Sequence, residues 1–255
     1  MGAPRSYRTQ AVIIKQFKLG EADKVLTIYT PEFGKLRAVA KGACRPGSKL
    51  GGNVEPLTHS SMMLARGRNL DIVTQSQTVD VFPELKSDLW GMACGLYVLD
   101  LVDCSTVENN ENRPVFELLL SALKWLGQSG DKEIVLRYFE LQLLGYLGYR
   151  PELYNCGICG SPIKAVVNVF GFDQGGVLCP RCGGKETASR SLSVDALKTL
   201  RLWQDCDYAT ARRVVLKPQL ASELEQVMQG YIRCLLQREV RSVAWLHELR
   251  RTEAC

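Results

Sequence analysis

Two periods divide this chain. Up to about residue 82 apolar residues alternate with polar ones, as in strands with one buried face, and beyond Pro83 they recur at three- and four-residue steps, as in amphipathic helices. The alternating part predicts five short strands: Gln10–Phe17, Lys24–Thr30, Lys35–Lys41, and segments near Pro56–Leu64 and Leu70–Phe82. Thr30-Pro31-Glu32-Phe33-Gly34 reads as a hairpin turn, with proline early and glycine last. In Lys35–Lys41, Leu36, Ala38 and Ala40 face one way, and Lys35, Arg37 and Lys41 share the other. The stretch Gly42–Gly52 is polar and rich in glycine, so a flexible loop is expected there. Five short strands in some 80 residues suggest a small barrel, and the OB-fold is the common five-stranded barrel that meets nucleic acid.

The second part predicts helices. Leu85, Leu89, Met92, Leu96, Leu99 and Val102 mark one apolar face, and Phe116, Leu119, Leu120, Leu123 and Leu126 mark a second, with Pro114 in its first turn. Asp131 can cap a third helix running to Leu147. Ser191 or Ser193 can cap a fourth that ends at Cys206. Lys217-Pro218 opens a last long helix, with Leu220, Leu224, Val227, Tyr231, Leu235 and Val243 inward. Between the third and fourth, Ala165–Phe172 reads as a strand. The fold expected is therefore α+β: an OB-fold barrel over 1–82, then a helical domain over 83–255 with a four-cysteine zinc module inserted at about 150–188.

That module rests on Cys156-Gly-Ile-Cys159 and Cys179-Pro-Arg-Cys182, with nineteen residues between the pairs. The short gap lets one turn present two thiolates, and two facing turns complete a tetrahedral shell at about 2.3 Å per bond. Two disulfides or four unrelated thiols are the plainer alternatives; a reducing compartment disfavours the first and the paired spacing the second. Four protein ligands leave a zinc ion no open position, so its role would be structural.

Charge changes the picture for the first segment only. Residues 1–80 carry twelve Lys and Arg against six acids, an excess of +6, whereas the remainder is −1. A basic segment of that kind points to a polyanion. The candidate contacts are Lys35, Arg37 and Lys41 on one strand, Arg45 and Lys49 on the adjoining loop, and Arg66 and Arg68 in a turn. Rings available for base stacking are Tyr7, Phe17, Tyr29, Phe33 and Phe82; Phe33 is the best placed, unless it folds back onto the core.

Little supports catalysis. His59 and His247 are the only histidines; neither sits in a metalloprotease or deaminase motif, and no phosphate-loop signature occurs. No charged-then-apolar leader opens the chain and no apolar run reaches the roughly 20 residues of a membrane span, so a cytoplasmic protein without membrane attachment is expected.

The motif order resembles one family. Gly20-Glu21-Ala22-Asp23-Lys24, then Thr30-Pro31-Glu32-Phe33-Gly34-Lys35-Leu36, Ala38-Val39-Ala40-Lys41-Gly42-Ala43, and Arg45, Ser48 and Leu50 recur in bacterial DNA-repair and recombination proteins of the RecO family. So does Gly148-Tyr149-Arg150-Pro151-Glu152-Leu153, leading into the first cysteine pair. The resemblance implies an N-terminal OB-fold, a central helical domain and, in some members, the zinc module. It implies a non-enzymatic, nucleoid-associated mediator that binds single- and double-stranded DNA and anneals complementary strands. It further implies joint action with RecR to place RecA on strands coated by single-stranded DNA-binding protein, whose tail a helical-domain pocket takes. An adaptor whose basic face binds acidic protein partners is the other reading of the same residues.

Overall fold

The computed structural model describes residues 5–48 and 50–253. In chain order the elements are β1 Ser6–Leu19, β2 Asp23–Thr30, β3 Gly34–Ala40, a single 3-10 turn Gly51–Val54, β4 His59–Ala65 and β5 Asp71–Asp80. Next come α1 Pro83–Lys86, α2 Leu89–Ser105, α3 Arg113–Gln128 and α4 Lys132–Tyr146. The remainder is β6 Asn168–Gly171, β7 Gly176–Leu178, α5 Pro180–Gly183, β8 Ser189–Leu192, α6 Val194–Asp205, α7 Tyr208–Ala211, α8 Pro218–Leu236 and α9 Arg241–Glu253. These group into two compact units, Met1–Ser129 with Val240–Cys255, and Gly130–Glu239. The change of period at residue 82 thus marks a change of element type, while the first three helices and the last one pack with the strands.

In the first unit the five strands close into a barrel in the order β1-β2-β3-β5-β4. All pairings are antiparallel except β3 with β5. Closure depends on β1, which is long enough to serve two neighbours: residues 6–12 pair with β4 and 12–19 with β2, with a register irregularity between Ile13 and Lys15. Ala11, Ile13, Leu26, Ile28, Leu36, Ala38, Ala40, Met62, Leu64 and Val73 fill the interior, as strict alternation requires. The segment after β3 differs from the flexible loop expected. Ala43 and Val54 are buried in the barrel core and Leu50 packs against it. Its turn is also pinned, by Gly42 N donating to Asp23 Oδ1 at 2.8 Å and Cys44 N to Ala22 O at 2.9 Å.

The helix expected from Leu85 to Val102 is two helices. The chain leaves helical geometry at Asp88, which is extended and caps α2 by accepting from Gly91 N. A serine and an aspartate in succession favour a cap over helix interior. Leu57 and Leu85 pack against Gly95 of α2, where a side chain would meet both. The last helix likewise ends early, at Leu236 with Gln237 left-handed, and α9 belongs to the first unit. There Asp100 of α2 accepts from Ser242 N and Oγ at 3.2 and 3.0 Å.

In the second unit Asp131 caps α4, and of the two candidate serines Ser193 caps α6, donating in turn to Glu223 of α8 at 2.7 Å. The strand read at Ala165–Phe172 is β6, the centre of a sheet ordered β7-β6-β8. This sheet is seated on α8: Phe170 is fully buried 5.4 Å from the Tyr231 ring, and Gly230 makes room for Phe172. No helix among the described residues is long and apolar enough to cross a membrane.

Candidate nucleic-acid interface and metal centre

The four cysteines come together. The Sγ atoms of Cys156, Cys159, Cys179 and Cys182 all lie within 4.8 Å of one another, and Cys159 and Cys179 are 3.9 Å apart. Zinc–sulfur bonds of about 2.3 Å in a tetrahedron place sulfurs about 3.8 Å apart, so the donor set fits a zinc ion. Each pair sits on a backbone built for it. Gly160 N donates to Cys156 O at 2.8 Å with Gly160 left-handed at φ +68°, which reverses the chain behind the first pair. At the second, Cys182 N and Gly183 N both donate to Cys179 O, at 3.0 and 2.9 Å. The Ser161 hydroxyl, 3.4 Å from Cys159 Sγ, helps hold that thiol down to about 5, with backbone donation adding to it. Hydrogen bonding to Cys179, followed by burial, pushes Cys182 up to about 12. Thiolates this close repel one another unless a cation lies between them, which is the electrostatics of a metal site.

The cations of the barrel divide into two groups. Lys35 does not share the open face of its strand: it is 8% exposed, its Nζ donates to Asp103 O at 2.6 Å and lies 3.3 Å from Asp103 Oδ1. The end of α2 covers it, and Lys15 pairs with the same carboxylate. Lys24 pairs with Glu55 at 2.7 Å. By contrast Arg37, Lys41, Arg45, Arg66 and Arg68 are exposed and form no ion pair among the described residues. Lys49 lies outside the described residues.

Register shows what the free cations surround. Along β3, β5, β4 and the first half of β1 the outward residues include Arg37 and Val39, Ile72, Gln75 and Gln77, Ala65, Met63 and Ser61, and Arg8 and Gln10, with Lys41 just past β3. None of these is acidic, and Asp80, opposite His59, stands at the end of β5. The acids nearby are turned to hydrogen bonds. Asp23 accepts from Gly42 N, Glu32 from Thr9 Oγ1, and Asp80 from Phe82 N; Asp71 accepts from Gly67 N and from the Tyr7 hydroxyl. Arg8, exposed and opposite Met63, is the residue that local sequence reading passes over. Only barrel closure carries it to this face.

The rings also differ from expectation. Phe33 folds back, half-buried, onto Tyr7 with centroids 4.7 Å apart, and the Arg66 guanidinium lies 5.0 Å over the other ring of that pair, Tyr7. Tyr29 and Phe82 are buried, whereas Phe17 is 48% exposed.

The sequence is similar to known proteins. Residues 4–82 match the family model described as Recombination protein O N terminal, and residues 86–244 match Recombination protein O C terminal. The chain is 40% identical over 246 residues to the DNA repair protein RecO of Roseiflexus sp. (strain RS-1), covering 96% of this chain and 87% of that protein. It is 36% identical over 251 residues to the DNA repair protein RecO of Dehalococcoides mccartyi (strain ATCC BAA-2266 / KCTC 15142 / 195), covering 98% and 99%. A match of both family models, together with relatives of this identity over nearly the full length, places the role of this protein in DNA repair and recombination. The chain belongs to the RecO family.

Proposed function

We propose that this protein is a recombination mediator that acts by binding DNA rather than by catalysis. It would bind single and double strands, anneal complementary ones, and act with RecR to place RecA on strands coated by single-stranded DNA-binding protein, in the cytoplasm at the nucleoid. One observation carries the binding reading: an outward barrel face with no acid in its middle rows, edged by Arg8, Arg37 and Lys41, with Arg45, Arg66 and Arg68 in the loops beside it. Lys49 joins this set on sequence grounds. Strand order β1-β2-β3-β5-β4 supports reading the barrel as an OB-fold covering 1–82. The three-strand sheet and its cysteines support reading the insert at about 150–188 as a zinc ribbon around one structural ion. The rest of 83–255 reads as a helical domain whose helices divide between the two compact units.

Binding of this kind is dominated by counterion release, so it is salt-dependent and largely blind to sequence. Replacing Arg37, Arg45 and Lys41 together with alanine should weaken binding about equally for all sequences. It should also lower the slope of log affinity against log salt by about 0.7–0.9 for each phosphate no longer neutralised. An unchanged slope would remove this face as the DNA site. Annealing of two complementary oligonucleotides separates the mediator from an adaptor for acidic proteins, which predicts no acceleration over buffer.

A further inference from the structure

Apolar side chains form a row on the outside of this barrel that the core does not need. Phe17 on β1 stands opposite Val25 on β2, Val25 opposite Val39 on β3, Val39 opposite Ile72 on β5, and Ile72 opposite Ala65 on β4. All five point away from the interior, whose members on these strands include Ile13, Leu26, Ala38, Ala40, Leu64 and Val73. Val25 is covered, Val39 and Ile72 are half-covered, and the row ends in a phenylalanine with 48% of its surface open. Leu19, two residues on and on the same side, is 47% open.

Cations flank the row. Arg37 and Lys41 lie two positions to either side of Val39, both exposed and unpaired among the described residues. Lys41 and Arg45 belong to the turn that Asp23 and Ala22 pin beside the β1–β2 connection, so they are held next to the strand that carries Phe17. Of the acids on this side, Asp23 is taken up by Gly42 N and Asp103 by Lys15, while Glu21 lies exposed in the β1–β2 connection. Phe17 stands two strands from the β3 cations, about 10 Å. That is within the reach of one nucleotide whose base lies on the ring and whose phosphate meets a lysine or arginine side chain.

The geometry points to Phe17 as a stacking platform for an unpaired nucleobase, with the half-covered Val39 beside it and Arg37 and Lys41 as its phosphate contacts. This rests on the DNA-binding reading and sharpens it, because a platform for a base face engages single strands and is closed to bases held in a duplex. A ring with an open face accepts any base, so the site adds strand preference without sequence preference.

Equilibrium binding to three DNAs of equal length tests it: a single strand, the same strand with abasic positions, and the duplex. Phe17→Ala should lose about tenfold on the base-bearing single strand, as expected for one stacked base. It should stay within twofold of wild type on the abasic strand and the duplex, with the salt slope unchanged. Phe17→Trp should retain single-strand affinity. Circular dichroism of both variants controls for folding, which a half-exposed side chain should not disturb. Equal losses on base-bearing and abasic strands would overturn the platform. So would unchanged affinity for all three DNAs, which would hand the row to an apolar protein partner. Wild-type protein that bound none of the three would overturn the DNA-binding reading itself, a distinct result.

Discussion

Lys35 and Arg37 stand on the same side of β3 and meet opposite environments. Lys35 lies in the register row of Tyr29, which is fully buried, and its ammonium is matched by Asp103. Arg37, one row along, is open to solvent. Alternation along a strand says which residues point out of the barrel, but not which of those another element will cover. That difference decides what each cation can do. A lysine held in a covered ion pair fastens a helix, while an uncovered arginine can exchange its counterions for phosphate. Asp103→Asn tests the division. It leaves Lys35, with 11% of its side chain exposed, without a counter-charge, and should cost about 2 kcal/mol of stability, less than a fully buried pair because solvent reaches part of both groups. Chemical denaturation measures that loss, and DNA affinity measured alongside should hold within twofold. A large rise in affinity with unchanged stability would return the lysines paired with Asp103, Lys35 and Lys15, to the binding face.

At the scale of elements, what the sequence showed depended on how local the cause was. The strand positions, the caps at Asp131 and Ser193 and the proline in the first turn of α3 all follow from neighbours within a few residues, and the structure has them. The misses have non-local causes. Gly42–Gly52 is, up to Leu50, the loop its composition suggests, yet Ala43 and Leu50, with Val54 just beyond, pack into the barrel core, a fact that only the closed sheet reveals. The helix break at Asp88 and the turn at Gln237 each override a continuous apolar pattern. The four-thiol cluster was fully legible because ligand spacing is a local property. The proposed binding face was legible only in part, since Arg8 reaches it through register. Gly34 joins the two kinds of cause. Its φ of +63° belongs to the β2–β3 turn, and a side chain there would run into the carbonyl of Asn110, just before α3. Gly20 has a similar φ of +64° with nothing nearby. Gly20→Ala should therefore cost about 1 kcal/mol, the conformational penalty alone. Gly34→Ala should cost about 3 kcal/mol, because the connection before α3 must also move. Equal losses in urea denaturation would mean that the approach to Asn110 contributes nothing to the seating of α3.

For the whole molecule, the two compact units divide the chemistry: the proposed DNA-contacting cations lie in the first and the four thiols in the second. A sheet of strands of four, three and four residues is too small to persist on its own hydrophobic area. Its stability must come from docking of Phe170 and Phe172 on α8 and from whatever the thiolates bind. Metal binding that exists only in the folded ribbon is folding free energy of the ribbon, so removing the metal should unfold that insert first. A strong chelator should therefore abolish hydrogen-exchange protection of the amides in β6, β7 and β8. Protection in the barrel strands should remain, as should DNA affinity, within about twofold. Acid should act in the same direction, because every ligand must be deprotonated to bind and protons compete with the ion. Cys159→Ser should reproduce the effect without chelator and lower the bound metal per chain. If chelation instead removed protection from barrel and ribbon together, the ribbon would be part of one cooperative unit, and the assignment of DNA binding to the barrel would need the same test with the ribbon intact. Loss of DNA affinity with barrel protection intact would have a different meaning: the ribbon itself would touch the nucleic acid.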